Sequence, residues 1–386
     1  MKKETTAAVI DIGSGKICGF VAGRVEGDDF NVIAGAEVRF GVFYGGKWID
    51  EGEVASAVSS VVRQLESRAN VKLDKVYVGV PSEFVSVVTR QTDVTYSAPK
   101  KIARENINEV FSGAAEFEQP KGFSPISRSS IYFILDDGKK VIDPVGETAA
   151  KLSGLVSFIF VDDVFKNTVS KALTDCGVKE FDFVAQSLAQ ALYLLSPSVR
   201  DGYAILVDGG FVSTSVSVVL GDGILYQKAF SVGGGQMADD LSQVLKIDYD
   251  DAVGLLSKAH LNLDFADDAV FEAGQGSVSA SMSNEIIRAR VEDMADSIAA
   301  CVKSCPHILP DNVPVYVTGG AFCYLKGAYN TLSKCLGRAV YPAPTVSPQY
   351  DKQEYSSAYG VISIALSQSK PQKQGFFRKL LSSLGG

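Results

Sequence analysis

Ala204-Ile-Leu-Val-Asp208-Gly209-Gly210-Phe-Val-Ser213-Thr214-Ser-Val-Ser-Val-Val219 decides the reading of this chain. An apolar run ends in Asp-Gly-Gly, a turn presents two hydroxyls, and an alternating run leaves. Glycines let a backbone bend at positive φ and let a ligand approach the main chain. Successive N–H groups in such a turn make an anion-binding concavity. A carboxylate at the strand end suits a hydrated Mg²⁺. An ordinary hairpin with a glycine turn explains this stretch equally well when it is taken alone.

The chain writes the pattern twice. Ala8-Val-Ile-Asp11-Ile-Gly13-Ser14-Gly15-Lys16-Ile17 is again strand, aspartate, glycine-rich turn with a hydroxyl, and strand. Each copy continues into a second hairpin, with turns at Glu26–Asp29 and Gly221–Gly223. Val76-Tyr-Val-Gly-Val-Pro81 is echoed by Val315-Tyr-Val-Thr-Gly319-Gly320. Repetition of this kind predicts two similar α/β halves with a cleft between them and a phosphate loop from each half facing across it.

Composition narrows the classes. The 386 residues suffice for two or more domains with real cores. A net charge of −8 disfavours nucleic acid as the main partner. Six cysteines lack framework spacing and are expected as reduced thiols. Cys301, Cys305 and His307 invite a zinc reading, but the chain has only two histidines and suggests no fourth ligand, so small apolar cysteines at a helix end are the better reading. Met1–Thr6 is polar and leads into a strand, which is not expected of a targeting segment. No apolar run is long enough to span a bilayer.

Periodicity supplies the remaining elements. Asp50 is an expected N-cap for a helix with Val54, Val58, Val61, Val62 and Leu65 on one face. Further helices are expected at 101–117, after Asp162, at 185–195, 236–246, 250–259, 284–304, 322–336 and 355–366. Strands are expected at 85–94, 130–135, 139–141, 155–160 and 180–184, with a loop at 119–130 and at most a short ribbon in 262–281. The predicted layout is a first core at 1–84, an inserted α+β region at 85–162, a return to the first core at 163–203 and a second core at 204–235. A second insertion at 236–312, a return at 313–354, a last core helix at 355–366, a linker at 367–374 and a tail at 375–386 complete it.

These repeated loops resemble the actin-like ATPase superfamily, and in detail the FtsA family of bacterial cell-division proteins. The specific pieces are the region after Pro81, Asp143-Pro144-Val145-Gly146 and the tail. The resemblance implies an α/β fold of duplicated actin-like (ribonuclease-H-like) halves around a nucleotide cleft. Residues 85–162 would be the inserted small α+β domain of that family, serving subunit contacts and recruitment of later division proteins. ATP with Mg²⁺ is the implied cofactor pair. Gly13, Ser14, Gly15 and Lys16 would meet the β- and γ-phosphates, as would Gly209, Gly210, Ser213 and Thr214. Asp11 and Asp208 would orient the waters of the metal. Gly233, Gly234, Gly235, Gly319 and Gly320 would surround sugar and base, with Lys258 near the adenine.

Hydrolysis is a separate expectation. Gln186 would orient water, but Ser187 stands where the family commonly has proline, and Gly233-Gly-Gly-Gln-Met-Ala238 departs from the usual Gly-Gly-Asn-x-x-Thr. Nucleotide would then serve mainly as a switch for assembly. The resemblance further implies self-assembly into filaments and binding of the FtsZ C-terminal peptide near Arg288 and Arg290. It places the protein at the division site, on the cytoplasmic face of the cell membrane. Phe376, Phe377, Leu380, Leu381 and Leu384 share one helical face flanked by Arg378 and Lys379, which suits an anionic membrane surface. A pilus-assembly adaptor and a small-molecule kinase of the same fold are the alternatives.

Overall fold

The structure, a computed structural model, describes residues 6–24, 30–39, 41 and 43–368. The expected tail anchor, with Phe376, Phe377, Arg378, Lys379, Leu380, Leu381 and Leu384, lies outside the described residues. So does most of the linker before it.

The first half opens with β1 (Thr6–Ile12), β2 (Lys16–Arg24) and β3 (Phe30–Arg39), an antiparallel meander. A small ribbon, β4 (Phe43–Tyr44) and β5 (Lys47–Trp48), leads to helix α1 (Glu51–Ala69). Asp50 caps α1 by accepting from the amides of Gly52 and Glu53, a cap worth about 1 kcal/mol. The valine and leucine stripe of α1 is fully buried, and each such side chain contributes roughly 1.5–3 kcal/mol. Next comes β6 (Lys75–Val80), parallel to β1.

The inserted region is β7 (Val85–Lys101), α2 (Arg104–Ala114), β8 (Phe123–Leu135), β9 (Lys140–Val141) and β10 (Thr148–Asp162). Its sheet runs β7-β10-β8-β9. The segment expected to be a loop to residue 130 is already strand from Phe123. Pro125 is tolerated there because the β8–β10 register slips beside it and β9 reaches only the far end of β8. Asp143–Gly146 makes a tight turn, with the amide of Val145 donating to Asp143 and Gly146 at φ +94°.

The chain returns through α3 (Asp163–Asp175), capped by Asp162 as expected, then β11 (Glu180–Ala185), α4 (Gln186–Leu194) and the short α5 (Pro197–Arg200).

The second half repeats the meander in β12 (Ala204–Gly209), β13 (Thr214–Leu220) and β14 (Gly223–Phe230). Its insertion holds α6 (Gly234–Leu245), α7 (Tyr249–Leu256), the ribbon β15 (Val270–Ala273) and β16 (Gly276–Ser279), and α8 (Ala280–Lys303). Then follow β17 (Val315–Thr318), α9 (Gly320–Cys323), α10 (Ala328–Leu336), β18 (Val340–Pro342) and α11 (Ser356–Gln368). The single helix expected at 322–336 is two: α9 closes at Tyr324, and Gly327, at φ +85°, precedes α10 in a backbone that no helix continues through. Gly233 caps α6, and Gly234 and Gly235 open it, so the helix begins two residues before the expected Gln236.

Both main sheets have one plan. The first runs β3-β2-β1-β6-β11 and the second β14-β13-β12-β17-β18. In each, three antiparallel strands are followed by two parallel ones. The duplicated architecture expected from the sequence is present. The last helix, however, packs across the halves. Val361, Ile362 and Ala365 of α11 join Val9, Ala22 and Tyr77 in a core on the first sheet. The inserted sheet also serves both halves. Its Ile126 and Ile159 enter the first core, its Ile131 and Leu155 the second.

Candidate functional site

A cavity of about 960 Å³ opens between the halves. Its first-half wall is polar, with Ser14, Lys16, Glu37, Arg39, Glu53, Ser56 and Ser60. Its second-half wall is largely apolar, with Met237, Val253, Leu256, Ala321 and Leu325 beside Tyr249 and Tyr324. Such a division suits a ligand with one charged end and one flat apolar end.

At its base lie the two repeated aspartates. Asp11 in β1 and Asp208 in β12 each sit one residue before the end of the strand. Each abuts the strand parallel to it, at a position where a side chain would collide. A Cβ on Gly79 would come within 2.1 Å of Asp11, and one on Gly319 within 2.3 Å of Asp208. Gly319 is also at φ +90°, where glycine is the natural occupant.

One helix serves both carboxylates. Gln186 and Gln190 are four residues apart on α4 and so share a face. Gln186 Nε2 donates to Asp11 Oδ1 at 2.9 Å and to the Ile12 carbonyl at 2.9 Å. Gln190 Nε2 donates to Asp208 Oδ2 at 2.8 Å and to Ser356 Oγ at 3.0 Å. Ser357 Oγ, on α11, donates to the other oxygen of Asp11 at 2.5 Å. Gln186 is therefore engaged with Asp11 and the backbone.

Burial raises both acids. Asp11 is pushed up to about 6, chiefly by desolvation and further by the nearby Asp208, against the lowering effect of Ser357 and Gln186. Asp208 is raised by burial, against its bond from Gln190. Two desolvated carboxylates from opposite halves, with Asp208 repelling charge on Asp11, fit a divalent cation, which would relieve both. Asp208 lines the cavity, whereas Asp11 is 4 % exposed behind its wall.

The other residues expected at the site divide. Ser14, Gly15, Lys16, Gly210, Gly234, Gly319 and Gly320 line the cavity. Gly13 closes the first turn, its amide donating to the Lys16 carbonyl at 2.9 Å. Gly209 packs against Phe322. Ser213 turns to Glu83, and Thr214 donates to the Val232 carbonyl at 2.7 Å, so neither hydroxyl is aimed at the cavity. The amides of Gly234 and Gly235 donate to the carbonyls of Gly210 and Phe211, and that of Gly233 to Gln236. The first turn of α6 is thus bonded to the second loop. Lys258 donates to the Glu272 carbonyl at 2.5 Å and braces the β15 ribbon instead of the cavity.

Arg288 and Arg290 are not a free cationic pair. Arg290 grips Asp240 of α6 with two bonds, at 2.7 and 2.9 Å, and Arg288 donates to the Leu261 carbonyl at 3.1 Å.

Sequence reasoning missed Gln190, Ser356 and Ser357. Gln190 had a signal: with Gln186 it makes an i, i+4 pair in an otherwise apolar helix. The serines had none, since Ser357 meets Asp11 across 346 positions.

Two lobes of one topology, an aspartate from each and a cavity between them make this an actin-like two-lobed fold. A chain of the PilM–PilN type IV pilus biogenesis complex superposes with TM-score 0.61 at 15 % identity, covering 96 % of this chain and 100 % of that one. ADP-bound MreB5 of Spiroplasma citri superposes with TM-score 0.56 at 8 % identity, covering 95 % and 97 %.

In sequence the chain is similar to the cell division protein FtsA of Enterococcus faecalis, with 24 % identity over 296 residues, 74 % of this chain and 67 % of that protein. No protein-family model matches the chain.

Proposed function

We propose that this chain is an actin-like protein of bacterial cell division that binds ATP with Mg²⁺ in the cavity between its halves. The observation that carries the reading is the pair of aspartates, Asp11 and Asp208, presented by matching strands and held by one helix. The similarity to FtsA supports the cell-division role. When bound, the metal would supply positive charge between the carboxylates and the phosphates. Asp208 and Asp11 would hold it, and Gly319 and Gly320 would let a sugar approach the main chain. The apolar wall of Met237, Val253 and Leu256 would take the base. Calorimetric titration of the full chain with ATP, with and without Mg²⁺, tests this. Absence of any heat under both conditions removes the reading.

The finer functions belong to the same proposal. The protein assembles into filaments, contacts other division proteins and binds the C-terminal peptide of FtsZ. It brings that peptide to the cytoplasmic face of the cell membrane through residues 375–384. No described helix is long and apolar enough to cross a membrane. A peripheral tail would act reversibly as a monomer and tightly when many tails share one filament. Phe377→Glu should abolish pelleting with anionic liposomes and leave nucleotide binding intact; unchanged pelleting would show that the tail is not the anchor. With Arg290 engaged by Asp240, the peptide site needs its own test. Charge reversal of Arg288 with unchanged peptide affinity would remove that residue from it.

A pilus-assembly adaptor is the second reading, favoured only by the overlap with one chain of the PilM–PilN complex along that chain's whole length. Co-purification with an FtsZ-type peptide but not with a pilus assembly protein separates the two.

A further inference from the structure

Lys16 is caged. Its ammonium lies 3.1 Å from Glu37 and 3.8 Å from Glu354, and 3.7 Å from the centre of the Tyr355 ring. The Tyr355 hydroxyl donates to Glu37 at 2.7 Å, and the Tyr324 hydroxyl donates to Glu354. The members come from distant parts of the chain. Lys16 begins β2 and Glu37 lies in β3, while Tyr324 follows α9 and Glu354 and Tyr355 precede α11. The cage therefore ties the first hairpin to the second half at the cavity wall, where Lys16, Glu37, Tyr324 and Glu354 are all exposed to a ligand.

The second loop is closed in a matching way. Ser14 Oγ accepts the amide hydrogens of both Phe211 and Val212 at 3.2 Å. One oxygen receiving two successive N–H groups is the arrangement a phosphate oxygen would take in a nest of amides. Both elements that would recognise phosphate are already satisfied by the protein's own oxygens.

We propose that Glu37 and Glu354 are specificity-determining residues that hold Lys16 in place of a terminal phosphate, so that the cavity discriminates among nucleotides by the number of their phosphates. This rests on the nucleotide-binding reading above. A terminal phosphate brings negative charge toward two carboxylates and must draw the ammonium away from them, which opposes its binding. A shorter phosphate chain meets this opposition less, and an uncharged nucleoside does not meet it. Arg39, Glu53 and Asp250 also line the cavity, but the lysine contacts are with Glu37 and Glu354. Glutamine at these positions keeps the shape and an acceptor while removing the charge.

The test is calorimetry of the full chain with ATP, ADP and adenosine, all with Mg²⁺, for the parent, Glu37→Gln/Glu354→Gln and Glu354→Gln alone. The double variant should bind ATP about tenfold more tightly, ADP by a smaller factor, and adenosine as the parent does. Glu354→Gln should shift the ATP-to-ADP ratio in the same direction by less, which keeps the test available if the double variant folds poorly. An unchanged ATP-to-ADP ratio overturns the latch while leaving nucleotide binding in place. An equal shift for all three ligands overturns it too, because a disturbed fold moves adenosine as well. Failure of parent and variants alike to bind any of the three overturns both the latch and the reading beneath it.

Discussion

The two halves present the same acid in the same frame and treat it differently. In each, an aspartate near the end of the first strand lies against a glycine of the parallel neighbour, Gly79 for Asp11 and Gly319 for Asp208. Asp11 has two side-chain donors, Gln186 and Ser357, and lies behind the cavity wall. Asp208 has the amide of Gln190 and faces the cavity directly. A duplicated fold therefore does not yield a duplicated site. One carboxylate is built as a buried member of a polar ladder, the other as the cavity-facing one.

The largest expected effect separates the two acids by their access to a ligand. Asp208→Ala should weaken Mg-ATP binding by about a hundredfold, and should affect metal-free ATP far less, because it removes a carboxylate beside the ion. Equal losses with and without Mg²⁺ in a calorimetric titration would contradict the assigned metal role.

Next in size is the electrostatic cost of burying Asp11. Its folded-state pKa of about 6 lies above the ordinary 3.8, so the folded protein holds the proton where the unfolded chain has released it. Stability should therefore fall as pH rises from about 4 to about 6 and level off above, by about 3 kcal/mol at most from this group. Asp11→Asn should flatten that part of the denaturation profile and raise the melting temperature at pH 7. Mg-ATP affinity should drop below about pH 6, as the protonated acid stops attracting the ion. A stability profile rising through this window would reverse the argument.

A smaller effect distinguishes the two glycines. Gly319→Ala meets both a collision with Asp208 and an unfavourable positive φ, and should cost about 2 kcal/mol or more. Gly79→Ala meets the collision without the positive φ. Urea denaturation of the two variants should rank Gly319→Ala as the less stable; the opposite order would make the contact with Asp11 the tighter constraint.

The smallest effect belongs to the second half alone. Arg290→Ala should cost about 1 kcal/mol, since the half-exposed bidentate pair with Asp240 joins α8 to α6. A double-mutant cycle with Asp240→Ala measures it, and a coupling near zero would leave Arg290 available to a partner.

Much of the fold was legible because its signals are local. The repeated strand, aspartate and glycine turn, the Asp50 and Asp162 caps and the buried stripe of α1 each follow from residues within a few positions of one another. The misreadings were also local conflicts settled at a distance. Pro125 argued for a loop, but strand pairing with β10 absorbed it at a slipped register. Gly327 lies inside the span expected as one helix, although its left-handed backbone stands outside α10 and keeps it apart from α9.

By itself the sequence determined the two-fold repeat, the acids at its strand ends and the glycine turns that bring a second chain segment close to them. These are set by side-chain period, by turn geometry and by the absence of a Cβ. Only the tertiary structure decided what those groups face. It set Ser357 on Asp11, turned Thr214 to Val232, gave Lys16 to Glu37 and Glu354, and laid α11 on the first sheet. The pairings of Ser357 with Asp11 and of Lys16 with Glu354 join positions hundreds of residues apart, and the others cross from one element to another. They are fixed by which surfaces exclude water together, and no local pattern carries that information.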